Sequence, residues 1–590
     1  LSRIFFDRRD PSQYFFTDPY DFCVQRPEDA IFTNTFSPFT NLSYYKGGGS
    51  RDGEERFKSY FAINANKRLG FGFYIDYLYG RGLYQDQSTA FFNGGLFSSY
   101  RGDKYDMHFI FNNDNLKMAE NGGITDDRYI TNPLDMAEGK KEYSANEIPT
   151  RLSQIWNHNT SYHAFLTHRY NLGFYKEKQD SVDTDSVKIT QVFVPVTSFI
   201  HTLQVDLNNR KYISYDDAQN QKYFEHNYLG TDSIDKTKRT SIKNTIGIAL
   251  QEGFNKWAKA GLTAFLSYEY RNFALTDTTN IPGQRIINNY KESSLSIGGE
   301  LSKKQGKLLH YNILGELAIA GEDAGQFSVE GRGDLNLRLF GDTVRLDVNA
   351  FIKNQNPVFY FRHFQSKHYW WDNNDLSKIM RTRLEGKLSL NRWGTQLRAG
   401  VENIKNYTYL ANASIPVKDS EGNVTGFKNN AAVRQHSGNI QIFTAMLQQK
   451  LKVGIFHLDG EVAYQKSSEQ DILPLPELSA YGNLYMKFGL AKKVLQIEMG
   501  ADVRYFSKYY APDYSPVIGQ FYNQNPDDKI EIGAFPIVNV YANLHLKRTR
   551  FFIMMYHVNA GSGKSNYFLA PHYPINPRMI KFGLSWNFFD

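Results

Sequence analysis

Apolar and polar residues alternate along much of the chain with a period of two. The C-terminal stretch from Met579 to Asp590 reads MIKFGLSWNFFD and shows the pattern clearly. Its alternate positions are apolar or aromatic: Ile580, Phe582, Leu584, Trp586 and Phe588. Because successive side chains of a strand point to opposite sides, this pattern predicts a strand with one apolar and one polar face.

The same alternation recurs from Val494 to Tyr505 and from Thr343 to Asn354, where the polar positions carry charges. Strands of globular proteins average about five or six residues. The alternating stretches here are longer, and they reach the ~9–11 residues that a tilted strand needs to cross a bilayer. The pattern therefore predicts an all-β fold, a single transmembrane antiparallel β-barrel with a polar lumen.

The connections between the predicted strands alternate between tight turns and long polar segments. Tight turns fall at 67–70, 100–103, 303–307, 340–343, 392–395, 452–454, 491–493 and 547–550. Long segments fall at 119–160, 214–238, 354–378, 405–437, 507–532 and 559–578. Outer-membrane barrels have short periplasmic turns and long extracellular loops, and counting strands on this basis gives about 22, within a range of about 18 to 22.

The predicted barrel covers residues 36–590, and its last strand must pair with its first, because an open sheet in lipid would leave edge amides unpaired. Residues 1–35 form a separate N-terminal segment that is expected to be periplasmic or associated with the lumen. This segment is too short for the globular plug of a TonB-dependent transporter, which argues against energised uptake.

Composition agrees with a barrel and excludes several other classes. The chain has 40 Tyr and 44 Phe, but hydrophobic residues make up only 41%, and the mean hydropathy of -0.52 is too low for a helical membrane protein. The single cysteine, Cys23, cannot form an internal disulfide or a cysteine-based metal site. The net charge of +7 is spread along the chain, which argues against nucleic acid as a partner.

Two stretches, from Asn34 to Asn93 and from His363 to Asp375, resemble the putative porins of the Bacteroidota. This resemblance implies a Gram-negative outer membrane, with lipid and lipopolysaccharide around the barrel and export by a signal peptide that precedes the numbered chain. The last strand also resembles the C-terminal signal that the β-barrel assembly machinery recognises, although the final residue is Asp590 rather than Phe. Its candidate signal residues are Phe582, Leu584, Trp586 and Phe588.

The strands between residues 326 and 402 carry the most charge, and their apolar faces are expected to meet lipid. Eight basic and five acidic residues would then line the lumen: Glu330, Arg332, Asp334, Arg338, Arg345, Asp347, Lys353, Arg381, Arg383, Glu385, Lys387, Arg398 and Glu402. Such a wall could favour anions, as charged rings do in channels. Alternatively, the opposite charges pair across strands and form a structural lining.

The segment from Phe359 to Asp375 contains a concentration of aromatic residues that is unusual for a loop. Its candidate functional residues are Phe359, Phe361, Phe364, Tyr369, Trp370 and Trp371. The loop could narrow the channel or stack against flat solutes such as sugars, or it could pack against neighbouring loops or a partner protein.

No catalytic, metal or cofactor signature appears in the sequence. A local cluster of His158, Ser161 and His163 lacks a nucleophile-elbow pattern, so an enzyme is not expected. The sequence therefore predicts an outer-membrane channel for passive diffusion of small hydrophilic solutes. Two alternatives stay open: a non-conducting barrel subunit of an envelope secretion or assembly complex, and a channel for hydrophobic solutes.

Overall fold

The computed structural model is all-β, and its main sheet is a closed antiparallel barrel of 22 strands. The structure describes residues 9, 11–49, 53–183, 186–215, 217–255, 258–278, 285–339, 341–563 and 565–589. The fold class and the strand number predicted from the alternating pattern are therefore confirmed.

Most strands are long enough to cross a bilayer at a tilt. The barrel strands are β1 (Phe39–Gly47), β2 (Glu54–Asn64), β3 (Leu69–Gly80), β4 (Thr89–Arg101), β5 (Tyr105–Ala119), β6 (Ile155–Asp183), β7 (Ser186–Ser214), β8 (Ile234–Leu250), β9 (Gly261–Thr278), β10 (Arg285–Lys303), β11 (Leu309–Gly321), β12 (Phe327–Leu339), β13 (Asp342–Gln355), β16 (Ile379–Leu390), β17 (Thr395–Asn412), β20 (Ala431–Val453), β21 (Phe456–Ser467), β22 (Leu478–Leu490), β23 (Leu495–Phe506), β26 (Ile537–Leu546), β27 (Thr549–Tyr556) and β30 (Met579–Phe589).

Four small hairpins lie within the long connections between these strands. They pair β14 (His363–Gln365) with β15 (Trp370–Asp372), β18 (Ile415–Lys418) with β19 (Val424–Lys428), β24 (Asp513–Ser515) with β25 (Gln520–Tyr522), and β28 (Phe568–Ala570) with β29 (Tyr573–Pro574).

The helical elements are short. The α-helices are α1 (Arg128–Thr131), α2 (Asp217–Tyr223) and α3 (Phe359–Arg362), and the 3-10 segments are Phe15–Cys23, Pro27–Asp29, Pro133–Asp135, Ala145–Glu147 and Asn391–Trp393. Within the described part of the chain, no helix has the length and apolar character needed to cross a membrane.

The barrel closes because β30 pairs with β1 in an antiparallel register that runs from Phe39 opposite Phe589 to Gly47 opposite Lys581. On the inner side of this seam, the Asn41 side-chain amide donates hydrogen bonds to Asn587 and Ser585. On the outer side, Phe582 and Trp586 are about half exposed, at 51% and 45%. The terminal strand thus has the apolar and polar faces that its sequence predicts.

The ends of the barrel differ, as the sequence predicts. Connections at one end, which we call the short-turn end, include residues 65–68, 391–394 and 547–548. Connections at the other end, the long-loop end, include residues 120–154, 356–378, 507–536 and 557–578. The predicted long segment that differs most from the structure is 405–437, because β17 continues to Asn412 and β20 already begins at Ala431.

The error at 405–437 has a local cause. The register of β17 against β20 shifts between Lys405 and Tyr407, and Asn406 lies there with a positive φ of 59°. Such a bulge places an extra residue in one strand and reverses the alternation beyond it. The two strands therefore remain paired beyond the point where the sequence alternation is interrupted. The first strand likewise begins at Phe39, three residues after the predicted boundary.

Candidate functional site

The charged residues predicted to line the lumen lie on β12, β13, β16 and β17, which are neighbours in the barrel. Their cross-strand partners include Asp347 with Lys387, Arg383 with Glu402, and Lys387 with Arg398. Directly opposed residues share a face of the sheet. The thirteen residues therefore occupy one face, and Leu384 and Val401 are exposed on the opposite, lipid-facing side.

The exposure of this charged wall changes along the barrel axis. Toward the short-turn end the cationic side chains are exposed to solvent: the exposed fractions are 75% for Arg332, 49% for Arg345 and 40% for Lys387. Toward the long-loop end, Arg383 and Glu402 expose only 5% and 1%. The short-turn half of the wall is therefore hydrated, and the long-loop half is covered.

Most of the wall cations are paired with acids. Arg383 contacts Glu402 at 2.8 Å and Glu385 at 2.6 Å, and Arg381 contacts Glu402 at 2.9 Å. Further pairs along the wall are Arg345–Asp347 at 2.8 Å, Arg345–Asp334 at 3.7 Å, Lys387–Asp347 at 3.1 Å, Lys353–Glu330 at 2.5 Å, Arg398–Glu385 at 2.6 Å and Arg332–Glu330 at 4.0 Å. Arg338 is exposed near the β12–β13 turn. The lining is thus largely a network of opposite charges.

The aromatic loop, residues 356–378, packs into the long-loop end. Phe359, Phe364 and Tyr369 are completely buried and Trp371 is 7% exposed, whereas Trp370 is 48% exposed. Phe359 stacks on Phe273 of the β9 wall, with ring centroids 3.8 Å apart and an interplanar angle of 5°. Phe361 is partly buried against the same cluster.

The N-terminal segment, residues 11–35, runs along the inner faces of β2 to β5 toward the long-loop end. Near the short-turn end, the backbone N–H of Thr35 donates to the Asn64 side chain at 2.9 Å. Further along, Asn112 donates to the carbonyl of Gln25 at 2.6 Å, and Asn93 donates to the carbonyl of Cys23 at 3.2 Å. The segment thus occupies part of the lumen.

The segment meets the aromatic loop in one apolar cluster, which we call the mouth cluster. Phe15 stacks on Tyr360 at a centroid distance of 5.3 Å, and Phe16 lies 4.6 Å from the same ring. The cluster also includes Val517 and Ile518 from the connection 507–536, and wall residues of β6, β7, β9, β17 and β20. Because β7 and β17 lie far apart around the ring, the cluster bridges the lumen.

A second apolar cluster covers the neighbouring part of the long-loop end. It is built from connections 120–154, 507–536 and 557–578, and includes Ile148, Ile532 and Phe568. All three residues are buried to 1% exposure or less. The long-loop end is therefore packed, while the short-turn end exposes charge.

A buried carboxyl group links the N-terminal segment to the loops. Glu120, directly after β5, accepts hydrogen bonds from Asn157 at 2.7 Å and from the Tyr514 hydroxyl at 2.9 Å. Tyr514 in turn lies 2.6 Å from the Tyr20 hydroxyl of the N-terminal segment. Burial raises the pKa of Glu120 to about 8, although both hydrogen bonds lower it. Burial beneath the docked N-terminal segment and the loops thus favours the protonated form of Glu120.

A buried cation on β7 supports the same region. Arg210 is fully buried, donates to the Asn157 side chain at 2.8 Å and also donates to the Val517 carbonyl. Its guanidinium lies 4.8 Å from the centre of the Phe16 ring. Arg210 therefore contacts the barrel wall, the N-terminal segment and connection 507–536 at the same time.

Sequence reasoning missed Glu120, Arg210 and the aromatic anchors Tyr14, Phe15 and Phe16. The dense aromatic run around residues 14–22 was the available signal, because such a run in a short polar segment needs a surface to pack on. The other predicted cluster is dispersed: Ser161 and His163 lie on one face of β6, and His158 lies on the other, where it contacts Asn115. Among the described residues, no group of three His, Cys, Asp or Glu side chains could hold a metal ion.

The whole sequence, residues 1–590, matches one protein family, described as "Putative porin". The chain belongs to this porin family. No curated protein is significantly similar to it in sequence. The predicted resemblance is thus confirmed at the level of the family.

The porin-family barrel is also similar in fold to solved outer-membrane receptors and transporters. The siderophore receptor PirA from Acinetobacter baumannii is 9% identical, with a TM-score of 0.61 over 94% of this chain and 81% of that one. The ferric enterobactin receptor PfeA from Pseudomonas aeruginosa, in a mutant form, is 11% identical with a TM-score of 0.60 over 94% and 80%. The copper transporter OprC is 10% identical with a TM-score of 0.59 over 94% and 81%.

At these identities the likeness shows the fold alone. The family and the closed barrel together indicate an outer-membrane protein with a porin-like transport function. The charged wall, the N-terminal segment and the mouth cluster are the parts of this porin-family chain that would decide what passes.

Proposed function

We propose that this barrel is an outer-membrane channel for passive diffusion of small hydrophilic solutes, with a mouth that is closed in the described state. The long-loop end would face the outside of the cell, as is usual for such barrels. A polar lumen lowers the free energy of transferring a hydrated solute across the membrane. Transport would need no catalytic step.

The observation that carries the proposal is the contrast between the two halves of the lumen. Exposed charges such as Arg332, 75% exposed, line the short-turn half. In the other half, the mouth cluster packs aromatic side chains such as Phe359 and Tyr360, which are completely buried, across the lumen. A charged, solvent-exposed wall in one half of the lumen and a packed mouth cluster in the other are expected of a channel that opens when the mouth cluster moves. The charged wall argues against a hydrophobic solute.

The mouth can be tested with two adjacent residues of the same type. Trp371 is 7% exposed and donates from its indole nitrogen to the Tyr360 carbonyl at 3.0 Å, whereas Trp370 is 48% exposed. Trp371→Ala should loosen the mouth cluster, because truncation of a buried Trp costs about 3–5 kcal/mol. Trp370→Ala should leave it intact and is the matched control.

The measurement is single-channel conductance of the purified full chain in a planar bilayer. We expect rare openings for the native chain and for Trp370→Ala, and at least tenfold more frequent openings for Trp371→Ala. A parallel measurement reports whether the mouth has moved: the labelling rate of Cys23 by a maleimide. Cys23 is the only cysteine, it belongs to the N-terminal segment and is 8% exposed, and burial raises the pKa of its thiol to about 11.

A second candidate function is a non-conducting barrel that serves as a subunit of an envelope secretion or assembly complex. The occupied lumen is the observation that favours it, because structural barrels do not need an open path. Faster Cys23 labelling of Trp371→Ala without any conductance would overturn the channel and favour this second function. Co-purification of a stoichiometric envelope partner with the native chain would then identify the complex.

A further inference from the structure

A cavity of about 250 Å³ lies beside the N-terminal segment, in the long-loop half of the barrel. It is bounded by the segment itself, by β17, by the aromatic loop, and by connections 468–477 and 507–536. We call it the segment cavity. The N-terminal segment, the aromatic loop and connection 507–536, which together close the mouth, therefore all contribute to the walls of the segment cavity.

Neutral amide side chains supply much of the polar lining. They are Gln13, Gln326, Gln355, Asn356, Gln520 and Asn523. An amide group both donates and accepts hydrogen bonds, as a hydroxyl does. Gln355, at the end of β13, is partly exposed and makes no side-chain hydrogen bond to another described residue. This lining matches a solute with several hydroxyl groups.

Aromatic rings supply the apolar lining. The N-terminal segment contributes Phe15, the aromatic loop contributes Phe361, and connection 507–536 contributes Phe521. Strand β17 contributes Tyr407 and Tyr409. The two tyrosine rings are nearly parallel, at 10°, with centroids 5.9 Å apart. Flat apolar surfaces next to neutral donors and acceptors are typical of pockets that hold an amphipathic ring.

The charges around the cavity are paired with each other. Arg26 contacts Asp21 at 2.6 Å, Arg9 contacts Asp21 at 3.0 Å, and Arg381 contacts Glu402 at 2.9 Å. A charged solute would have to replace one of these partners, and removing a partner from a poorly hydrated ion is costly. The cavity is therefore best matched by an uncharged solute.

We propose that the segment cavity is a binding site for a neutral polyhydroxylated solute, a mono- or disaccharide in size. Ligand pockets usually measure roughly 300–1,000 Å³, so a cavity of about 250 Å³, just below that range, suits a small solute of one or two sugar rings. This inference rests on the proposed transport function, because the site would select solutes where the N-terminal segment meets the wall. A small zwitterionic peptide is the competing ligand, and its two charged ends make it the poorer match.

The test is calorimetric titration of the purified full chain in an oligo-oxyethylene detergent, which has no sugar head group. The probes are glucose, maltose and the dipeptide glycylglycine. We expect saturable binding of glucose or maltose and none of glycylglycine. Gln355→Ala and Tyr409→Ala should each weaken sugar binding at least fivefold. Gln396→Ala, on β17 outside the cavity, is the matched control and should bind sugar like the native chain.

Two results would overturn the proposal: no sugar binding by the native chain, or sugar binding that both cavity variants retain unchanged. Glycylglycine binding that these variants abolish would also overturn it and assign the cavity to peptides. Conductance separates this inference from the proposed function. Sugar binding by a chain that never conducts would support the sugar site and refute the channel. Conductance without sugar binding would support the channel and refute the sugar site.

Discussion

Leu384 and Glu385 are adjacent on β16 and face opposite environments. Leu384 is 55% exposed on the outer surface, and Glu385 is 4% exposed among arginines on the inner wall. At the middle of a barrel strand, an outward arginine is expected to cost roughly 2–4 kcal/mol because its charge meets lipid. We therefore expect Leu384→Arg to lower the free energy of unfolding by about that amount, measured by urea titration in lipid vesicles.

The control is Asn349→Arg, which places the same side chain on the inner face, where Asn349 is paired with Glu385 of the neighbouring strand. It should change the unfolding free energy by less than about 1 kcal/mol, as a hydrated lumen tolerates charge. Equal losses for both variants would show that the assigned faces are wrong.

Residue facing was largely predictable from the sequence, because the two sides of these strands meet different solvents. The alternating pattern predicts Arg383 and Glu402 on the face opposite Leu384, and in the structure Arg383 lies directly across from Glu402 on the neighbouring strand. It could not tell that Arg383 is buried and Arg332 is exposed. That difference depends on distant segments that cover only one end of the wall.

At the scale of elements, we expect docking of the N-terminal segment to depend on the protonation of Glu120. Its neighbours are the Tyr20 and Tyr514 hydroxyl groups, the Asn157 amide and, nearby, Arg210. Its pKa is raised to about 8 in the closed state, against about 4.3 in water. Docking of the segment is therefore coupled to proton uptake by Glu120 at any pH above ~4.3. The stability that this coupling gives to the docked state decreases as the pH rises from ~4.3 to about 8.

We expect the native chain to release the segment more often at pH 8.5 than at pH 6, measured by maleimide labelling of Cys23. Thiolate content also rises with pH, so Glu120→Gln is the necessary control: it keeps a neutral side chain at every pH. The labelling rate should increase with pH at least threefold more steeply in the native chain than in Glu120→Gln. Equal pH dependence in the two chains would contradict a role for Glu120 ionisation.

The strands of the barrel were predictable as elements, but the docked segments were not. A strand repeats its pattern every two residues, whereas Tyr14, Phe15 and Phe16 lie at the start of a short 3-10 segment whose sequence shows no repeat. Their partners, such as Tyr360, are more than 300 residues away in the sequence. Contacts of that kind need the closed barrel to bring the elements together.

At the scale of the whole molecule, we expect the exposed cations of the wall to set the ion preference of the proposed channel. Arg332 and Arg338 are exposed at the short-turn half, whereas most other wall cations have acidic partners. In the Trp371→Ala background, we expect a weak anion preference from the reversal potential in a salt gradient. Changing both residues to Glu should reverse that preference to cations. An unchanged reversal potential would show that ions do not pass this wall.

Closure of the barrel depends on the last strand, and one glycine in it offers a sharp test. A Cβ on Gly583 would lie 2.6 Å from the Tyr45 Cβ and 2.7 Å from the Phe552 ring, and it would also meet the Tyr44 carbonyl. Tyr45 and Phe552 belong to β1 and β27, the two neighbours of β30. Gly583→Val should therefore force these strands apart, at a cost of about 1–3 kcal/mol or more.

The matched control is Gly386→Val on β16, because a Cβ there meets nothing within 4 Å. We expect Gly583→Val to lower the heat-modifiable, folded fraction in the outer membrane at least threefold, and Gly386→Val to leave it unchanged. The same comparison bears on the predicted assembly signal, since both variants keep Phe582, Leu584, Trp586 and Phe588. Equal assembly of the two variants would mean that the seam between β1 and β30 tolerates overpacking and does not limit closure.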